Sequence, residues 1–233
     1  MRDYVLVYVN GQRYELRGSQ AFMPLSELLR SELRLTGTKV VCAEGDCGSC
    51  TVLLGRPHED QIVYRPVTSC IQYVAQLDGT HVVTVEGLLQ NGRLNGVQSA
   101  MIAHHGAQCG YCTPGMVVSL SALFDESRDP SRHEVCRALV GNLCRCTGYE
   151  PILEAADHVD RTGWQTTSAL YPDAAMLSEL RRAAGESVEI VDGTQRLFKP
   201  ASLDEAVQRR AAEPQAVVLA GGTDLAVAWN KGK

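Results

Sequence analysis

Cys42-Ala-Glu-Gly-Asp-Cys47-Gly-Ser-Cys50 is the stretch that decides the fold of this chain, together with a fourth cysteine at position 70. Three thiols separated by four and then two residues must come from one tight loop. Gly45 and Gly48 permit the positive φ angles that such a loop uses. Backbone N–H groups turned inward by the loop can face the sulfurs and stabilise an anionic centre. The spacing therefore predicts a metal centre whose four thiolate ligands are Cys42, Cys47, Cys50 and Cys70.

A C-x4-C-x2-C run with a distant fourth cysteine is the ligand pattern of plant-type [2Fe–2S] clusters. A zinc site is the alternative. Zinc ligands in knuckles usually come as C-x2-C pairs, and the longer spacing with two glycines fits that arrangement poorly. We therefore favour a [2Fe–2S] cluster here, which carries electrons.

A second group of four cysteines combines a C-x2-C pair with a later C-x-C pair: Cys109, Cys112, Cys144 and Cys146. A C-x2-C pair by itself suits zinc or a redox dithiol as well as an iron–sulfur cluster. Both pairs precede predicted helix starts, at Thr113-Pro114 and at Pro151. The free N–H groups and partial positive charge of a helix N-terminus favour an anionic cluster. From the residues alone an iron–sulfur cluster is favoured, and zinc stays open.

The composition excludes several classes of protein. The chain has 233 residues, of which 45% are hydrophobic and 21% charged, as in globular proteins of one to three domains. A net charge of −5 gives no reason to expect nucleic acid or an anionic membrane as a partner. No run approaches the ~18 apolar residues of a membrane span, and the N-terminus lacks the apolar core of a signal peptide. Nine cysteines without an export signal favour metal ligation over disulfides, so we predict a cytoplasmic protein.

Residues 1–90 predict a small α+β unit. Two alternating runs flank Asn10-Gly11, the dipeptide favoured in type I′ turns, which predicts a hairpin over residues 3–16. Within it, Val5, Val7 and Val9 are expected to share one face. The other expected elements are a helix over 25–33 and strands over 51–54, 62–65 and 81–85.

Residues 91–160 show helical periodicity and predict four short helices, near 97–105, 114–125, 132–140 and 151–160. Thr113 is expected to cap the second helix, with Pro114 at its first position. Ser131 and Glu134 have capping-box spacing at the start of the third. The ninth cysteine, Cys136, lies in that third helix and is predicted to be a buried apolar thiol.

The remaining residues predict a linker and the start of a third unit. Residues 161–195 have weak periodicity, with one helix expected at 173–184. Ser202 and Glu205 have capping-box spacing and open a helix to about residue 212. A strand is expected over 216–220, followed by a glycine turn.

At its cysteine motifs the sequence resembles the molybdenum hydroxylases, and among them the small subunits of xanthine dehydrogenase. The matching segments are TGTK at 36–39, CAEGDCGSCTV at 42–52, QCGYCTPG at 108–115 and GNLCRCTGY at 141–149. The resemblance implies an α+β chain with a β-grasp [2Fe–2S] ferredoxin-type domain at 1–90 and a helical-bundle [2Fe–2S] domain at 91–160. A linker at 161–195 and the start of an FAD-binding α+β domain at 196–233 follow. The resemblance implies that all eight cysteines named above are cluster ligands.

The segment LAGGTDL at 219–225 resembles the start of the FAD domain in those small subunits. A strand that ends in two glycines brings backbone N–H groups close to a pyrophosphate. The implied FAD-binding residues are Leu219, Ala220, Gly221, Gly222, Thr223 and Asp224. Gln108 resembles a residue that contacts molybdopterin. Val41 stands where the family usually has glycine, and we expect the FAD domain to be cut short at Lys233, which leaves the FAD site incomplete.

The resemblance implies an electron relay with no residue of this chain catalysing hydroxylation. A molybdopterin-binding large subunit would hydroxylate hypoxanthine or xanthine, and electrons would pass singly through the two clusters to FAD and then NAD. The bundle cluster would lie nearest the molybdenum, and the ferredoxin-type cluster nearest FAD. The expected assembly is a hetero-oligomer without nucleic acid or membrane. A related hydroxylase acting on aldehydes or N-heterocycles is the alternative, and a non-enzymatic zinc-binding adaptor is a third interpretation.

Overall fold

The computed structural model describes residues 1–232, and five strands in its N-terminal part form one mixed sheet. They are β1 (Val5–Val9), β2 (Gln12–Leu16), β3 (Thr51–His58), β4 (Gln61–Thr68) and β5 (Thr80–Val83). Their order across the sheet is β2-β1-β5-β3-β4. The first and last strands run parallel side by side, and the other neighbours are antiparallel. The prediction of an α+β chain is confirmed.

The first hairpin follows from its turn. Asn10 and Gly11 have φ angles of 48° and 80°, the left-handed values that a type I′ turn requires. The pairing of Val9 with Gln12 places these two residues at the tip. The hairpin predicted over residues 3–16 is therefore present.

Both faces of β1 are covered, although the sequence pattern singled out only its valine face. On that face lies a helical segment made of α1 (Leu25–Glu27) and a wider turn over Leu28–Glu32, whose leucines pack on the valines. On the other face, Met176 and Leu180 pack against Leu6 and Tyr8. All five residues of the strand are consequently buried.

Residues 96–157 contain the four predicted helices, which are α2 (Gly96–Ala103), α3 (Thr113–Glu126), α4 (Arg132–Ala138) and α5 (Glu150–Asp157). Ser131 and Glu134 form the expected capping box at α4. Thr113 does not cap α3 as predicted, because it is already the first helical residue and Cys112 occupies the cap position. The hydroxyl of Thr113 is buried without a hydrogen-bond partner.

Cys136 is exposed, so the prediction of a buried thiol is wrong. Val135 and Leu139 are four positions apart, share one face of α4 and enter the core. Cys136 is one position further on and is therefore rotated by about 100° around the helix axis, away from that face.

Residues 161–195, which the weak periodicity predicts to be a linker, carry α6 (Thr167–Leu170), α7 (Ala174–Ala184) and the strand β6 (Val188–Asp192). The helix α7 corresponds to the one expected at 173–184, and its apolar face covers the first sheet. The strand β6 pairs with β7 (Gln195–Lys199) in a separate antiparallel hairpin.

An ion cluster around Asp78 joins this later segment to the first sheet. Arg2 donates to both carboxylate oxygens of Asp78 at 2.8 Å and to Glu186 at 2.7 Å. Lys199 donates to Asp78 at 2.6 Å. The carboxylate of Asp78 is buried, so two cations neutralise a charge that water cannot reach.

The last part contains α8 (Leu203–Ala212), capped by Ser202 as expected, and α9 (Thr223–Asn230). The strand predicted over 216–220 does not form. A strand needs a neighbour for its backbone groups, and no described strand pairs with this segment, which leaves Val217 and Val218 exposed. Among residues 1–232, no helix is long and apolar enough to cross a membrane.

Candidate metal centres

The strands β3 and β4 bring the first cysteine group together. Residues 42–50 form a loop directly before β3, and Cys70 follows β4 in a short 3-10 turn. Because Thr51 pairs with Thr68, Ser69 lies opposite Cys50, and Cys70 follows one position later. The N–H group of Cys70 donates to Sγ of Cys50 at 3.4 Å.

The loop has the backbone conformation that its glycines predict. Gly45 and Gly48 have φ angles of 80° and 66°, and Ala43 also adopts a positive φ of 55°. The N–H group of Cys47 donates to Sγ of Cys42 at 3.4 Å. The loop therefore turns backbone donors toward sulfur, as a site for an anionic centre requires.

Hydrogen bonds join the sulfurs of this group in two pairs, Cys42 with Cys47 and Cys50 with Cys70. A hydrogen bond from the Cys70 thiol, opposed by burial and aided by backbone N–H groups, lowers the pKa of Cys50 to about 6. The same hydrogen bond and burial raise the pKa of Cys70. Burial opposes ionisation of Cys42, but hydrogen bonds from the loop backbone and from Cys47 lower its pKa. Thiolate, the form that ligates metals, is thus stabilised on at least one sulfur of each pair.

The second cysteine group lies at the N-terminal ends of two helices. Cys109 and Cys112 precede α3, and Cys144 and Cys146 precede α5. The sulfurs of Cys146 and Cys109 are 3.6 Å apart. Burial and a hydrogen bond with Cys144 raise the pKa of Cys112 to about 12. The expectation that both pairs precede helix starts is confirmed.

The eight thiols associate in twos: Cys42 with Cys47, Cys50 with Cys70, Cys109 with Cys146, and Cys112 with Cys144. In the described part of the chain, no group of three or more Cys, His, Asp or Glu side chains is placed to hold one metal ion. An all-cysteine [2Fe–2S] cluster takes two thiolates at each iron, whereas structural zinc takes four ligands around one point. The paired thiols fit the cluster.

A backbone hydrogen bond connects the two groups. The N–H group of Leu143 donates to the carbonyl oxygen of Cys47 at 2.9 Å. Leu143 directly precedes Cys144 in the chain. One backbone hydrogen bond and one residue thus separate a cysteine of the first group from a cysteine of the second.

Asn142 and Gly48 hold this junction together, and sequence reasoning missed both roles. The side-chain amide of Asn142 donates to the carbonyl of Gly48 at 3.0 Å and accepts from Ser119 at 2.7 Å. A Cβ on Gly48 would lie 2.2 Å from the carbonyl oxygen of Gly141, so only glycine allows this approach. The available signal was that Asn142 and Gly48 both lie inside cysteine motifs, which pointed to ligation instead of packing.

The glycine turn expected to bind FAD contacts Gln76, six residues after Cys70 in the chain. The side chain of Gln76 donates to the carbonyls of Ala220 and Gly221 at 2.8 and 3.2 Å. Gly222 has a φ of 69° and occupies the cap position of α9, so Thr223 and Asp224 begin that helix. Leu219 is half-buried. Gln108, by contrast, is exposed next to Cys109 at the second cysteine group.

Comparisons with known proteins agree with this arrangement. A family model described as a [2Fe-2S] binding domain matches residues 84–157. Aldehyde oxidase 4 of Cavia porcellus is 44% identical over 156 residues, which are 66% of this chain and 12% of that protein. Xanthine dehydrogenase of Drosophila subobscura is 33% identical over 267 aligned positions, which cover 96% of this chain and 20% of that protein.

A solved structure extends the similarity to the fold. The crystal structure of quinoline 2-oxidoreductase from Pseudomonas putida 86 contains a chain that is 37% identical, with a TM-score of 0.56. The match covers 74% of this chain and 95% of that one. The chain therefore belongs to the molybdenum hydroxylase family. It corresponds to the iron–sulfur electron-transfer region of those enzymes.

Proposed function

We propose that this chain is the electron-transfer subunit of a xanthine dehydrogenase and holds two [2Fe–2S] clusters. The ligands of the first are Cys42, Cys47, Cys50 and Cys70, and those of the second are Cys109, Cys112, Cys144 and Cys146. When bound, each cluster accepts and returns one electron. The observation that carries the proposal is the hydrogen bond between Leu143 and Cys47, because it gives the two sites a short backbone connection.

The partner on the electron-donating side is, in this proposal, a molybdopterin-binding subunit that contacts the second cysteine group. Cys109 and Cys146 are exposed there, as is Gln108, which would face the pterin. Tyr111 and Leu143 flank these cysteines and expose 47% and 56% of their surfaces. Apolar side chains that are exposed together on one surface are typical of a protein interface.

The electron-accepting side of the proposal is FAD at residues 219–224, with NAD as the final acceptor. The turn lies directly before α9, whose first N–H groups suit a pyrophosphate. The eight residues of α9 span about 12 Å from this turn toward the first cysteine loop. The similarity to a xanthine dehydrogenase over 96% of the chain supports assigning this segment to the same subunit. We place the protein in the cytoplasm, where reduced thiols persist.

Metal analysis tests the cluster assignment. Two clusters predict about four iron atoms and about four acid-labile sulfides per chain. Zinc without sulfide would contradict the proposal and support the zinc-binding adaptor.

Substrate assays on the complex purified with its partner distinguish the two hydroxylase candidates. We expect hypoxanthine or xanthine to reduce NAD. Turnover of aldehydes or of N-heterocycles such as quinoline, without purine turnover, would instead place the chain with the aldehyde oxidase and quinoline 2-oxidoreductase relatives.

A further inference from the structure

The C-terminal end of α9 lies directly on the first cysteine loop. The side-chain amide of Asn230 donates to the carbonyl oxygen of Ala43 at 2.9 Å and to that of Cys70 at 2.8 Å. Its oxygen accepts from the hydroxyl of Tyr73 at 3.1 Å. One amide thereby ties together the two separate segments that carry the first four cysteines.

Asn230 also supports an unfavourable backbone conformation. Ala43 has a positive φ, which residues with a Cβ adopt only where their surroundings enforce it. The hydrogen bond from Asn230 to its carbonyl is one such constraint. The rings of Trp229 and Tyr73 pack edge to face with their centroids 5.2 Å apart, which holds the same helix end near the segment that follows Cys70.

Lys231 places a positive charge beside the loop. Its Nζ donates to the carbonyl of Cys42 at 3.0 Å and lies 3.2 Å from the carboxylate of Glu44. The C-terminal end of a helix carries partial negative charge, which disfavours an anionic group nearby. Lys231 offsets that charge where α9 meets the loop.

We propose that Asn230 and Lys231 are positioning residues for the first cluster, an inference that rests on the proposed function. Asn230 fixes the separation between the loop and Cys70, so it slows loss of iron from this site. Lys231 stabilises the reduced form more than the oxidised form, because reduction adds a negative charge, and so it raises the midpoint potential.

The test uses the full chain with both clusters and treats the second cluster as an internal reference. The variants are Asn230→Asp, which replaces the amide donor with a carboxylate, and Lys231→Met. The matched control is Asn91→Asp, the same chemical change at an exposed turn residue. The readouts are iron loss to a chelator and an EPR-monitored redox titration, with the two signals assigned by Cys50→Ser and Cys112→Ser.

Asn230→Asp is expected to release iron from the first site about tenfold faster, because two donated hydrogen bonds become oxygen–oxygen repulsion. Lys231→Met is expected to raise the oxidised-to-reduced ratio of the first cluster about two- to fivefold at the wild-type midpoint, since the charge is partly screened. The second cluster and Asn91→Asp should be unchanged.

Equal iron loss from both clusters in Asn230→Asp, or an unchanged rate at the first, would overturn the role of Asn230. If that variant does not accumulate, Lys231→Met decides, because its side chain is partly exposed and its loss is compatible with folding. An unshifted potential in Lys231→Met would overturn the proposal. Zinc without sulfide in the wild-type chain would refute the proposed function itself, which is a separate outcome.

Discussion

Glycine at position 48 serves two purposes that no other residue can combine. Its φ of 66° keeps the first cysteine loop turned toward sulfur, and its missing Cβ admits the carbonyl of Gly141 from the second cysteine group. The same residue thus shapes one site and sets its distance from the other.

Gly48→Ala is expected to lower the free energy of unfolding by about 3 kcal/mol, because it adds a steric clash to the cost of a positive φ. Gly110→Ala is the matched control, since Gly110 has a φ of 80° but nothing within 4 Å of its Cβ position. That variant should cost only about 1 kcal/mol. Denaturant unfolding measures both, and equal losses would show that packing against Gly141 contributes nothing.

Residue patterns predict which thiols lie together more readily than they predict the side chains that hold those segments in place. Cysteine spacing and the two glycines of the first loop identify the thiols and their conformation because both depend on local chain geometry. Asn142 and Asn230 act on carbonyls about 90 and 160 to 190 residues away along the chain. No local pattern encodes such contacts, so only the folded structure shows them.

Among the elements, β5 contributes a buried histidine that joins three neighbours. His81 accepts a hydrogen bond from the N–H of Gly11 through Nε2 at 3.0 Å. In the neutral ring the other nitrogen, Nδ1, therefore carries the proton and donates to Tyr64 at 2.7 Å. The ring of Tyr171, which follows α6, packs edge-on with a centroid distance of 4.7 Å.

Burial lowers the pKa of His81 to about 4, compared with about 6.5 in an unfolded chain. The unfolded state then binds a proton that the folded state does not bind, so the free energy of unfolding falls as the pH falls. The loss begins near pH 6.5, continues to about pH 4 and amounts to about 3 kcal/mol.

Replacement by glutamine removes this titration, so the unfolding free energy of His81→Gln should depend less steeply on pH between 6.5 and 4. Denaturant unfolding across that range compares the variant with the wild-type chain. Parallel pH curves for the two proteins would contradict the assignment.

Element boundaries were predictable where a local cap or turn motif marks them in the sequence, as at Asn10-Gly11 and Ser131. The predictions were wrong where contacts with another part of the chain decide whether a strand forms or a side chain is buried. The segment 216–220 has the composition of a strand, but no described strand pairs with it. Cys136 lies on the exposed side of α4, one position after the buried Val135.

On the scale of the whole molecule, the two cysteine groups have different surroundings. The first contacts the glycine turn through α9, and the second lies among exposed apolar residues. The family resemblance implied that the second group lies toward the molybdenum and the first toward FAD. The hydrogen bonds from Leu143 and Asn142 that join the two groups came only from the fold.

The proposed path, in which electrons pass from the second cluster to the first, predicts different consequences for two serine variants. In the complex with its partner, Cys47→Ser should allow hypoxanthine to reduce the second cluster but abolish NAD reduction, because the break lies after that cluster. Cys112→Ser should also abolish NAD reduction, and in this variant the first cluster should stay oxidised. EPR after rapid mixing, combined with NADH absorbance, measures both. Normal NAD reduction in either variant would exclude a serial path.

The ion cluster around Asp78 also has a consequence for biosynthesis. Lys199 follows Asp78 by 121 residues, so the carboxylate of Asp78 has Arg2 as its one cation until the ribosome has made Lys199. A buried carboxylate with part of its partners is costly, and contacts of such long sequence separation form slowly. The N-terminal sheet is synthesised first, yet the ion cluster next to its strands β1 and β5 is complete only after Lys199 has been translated.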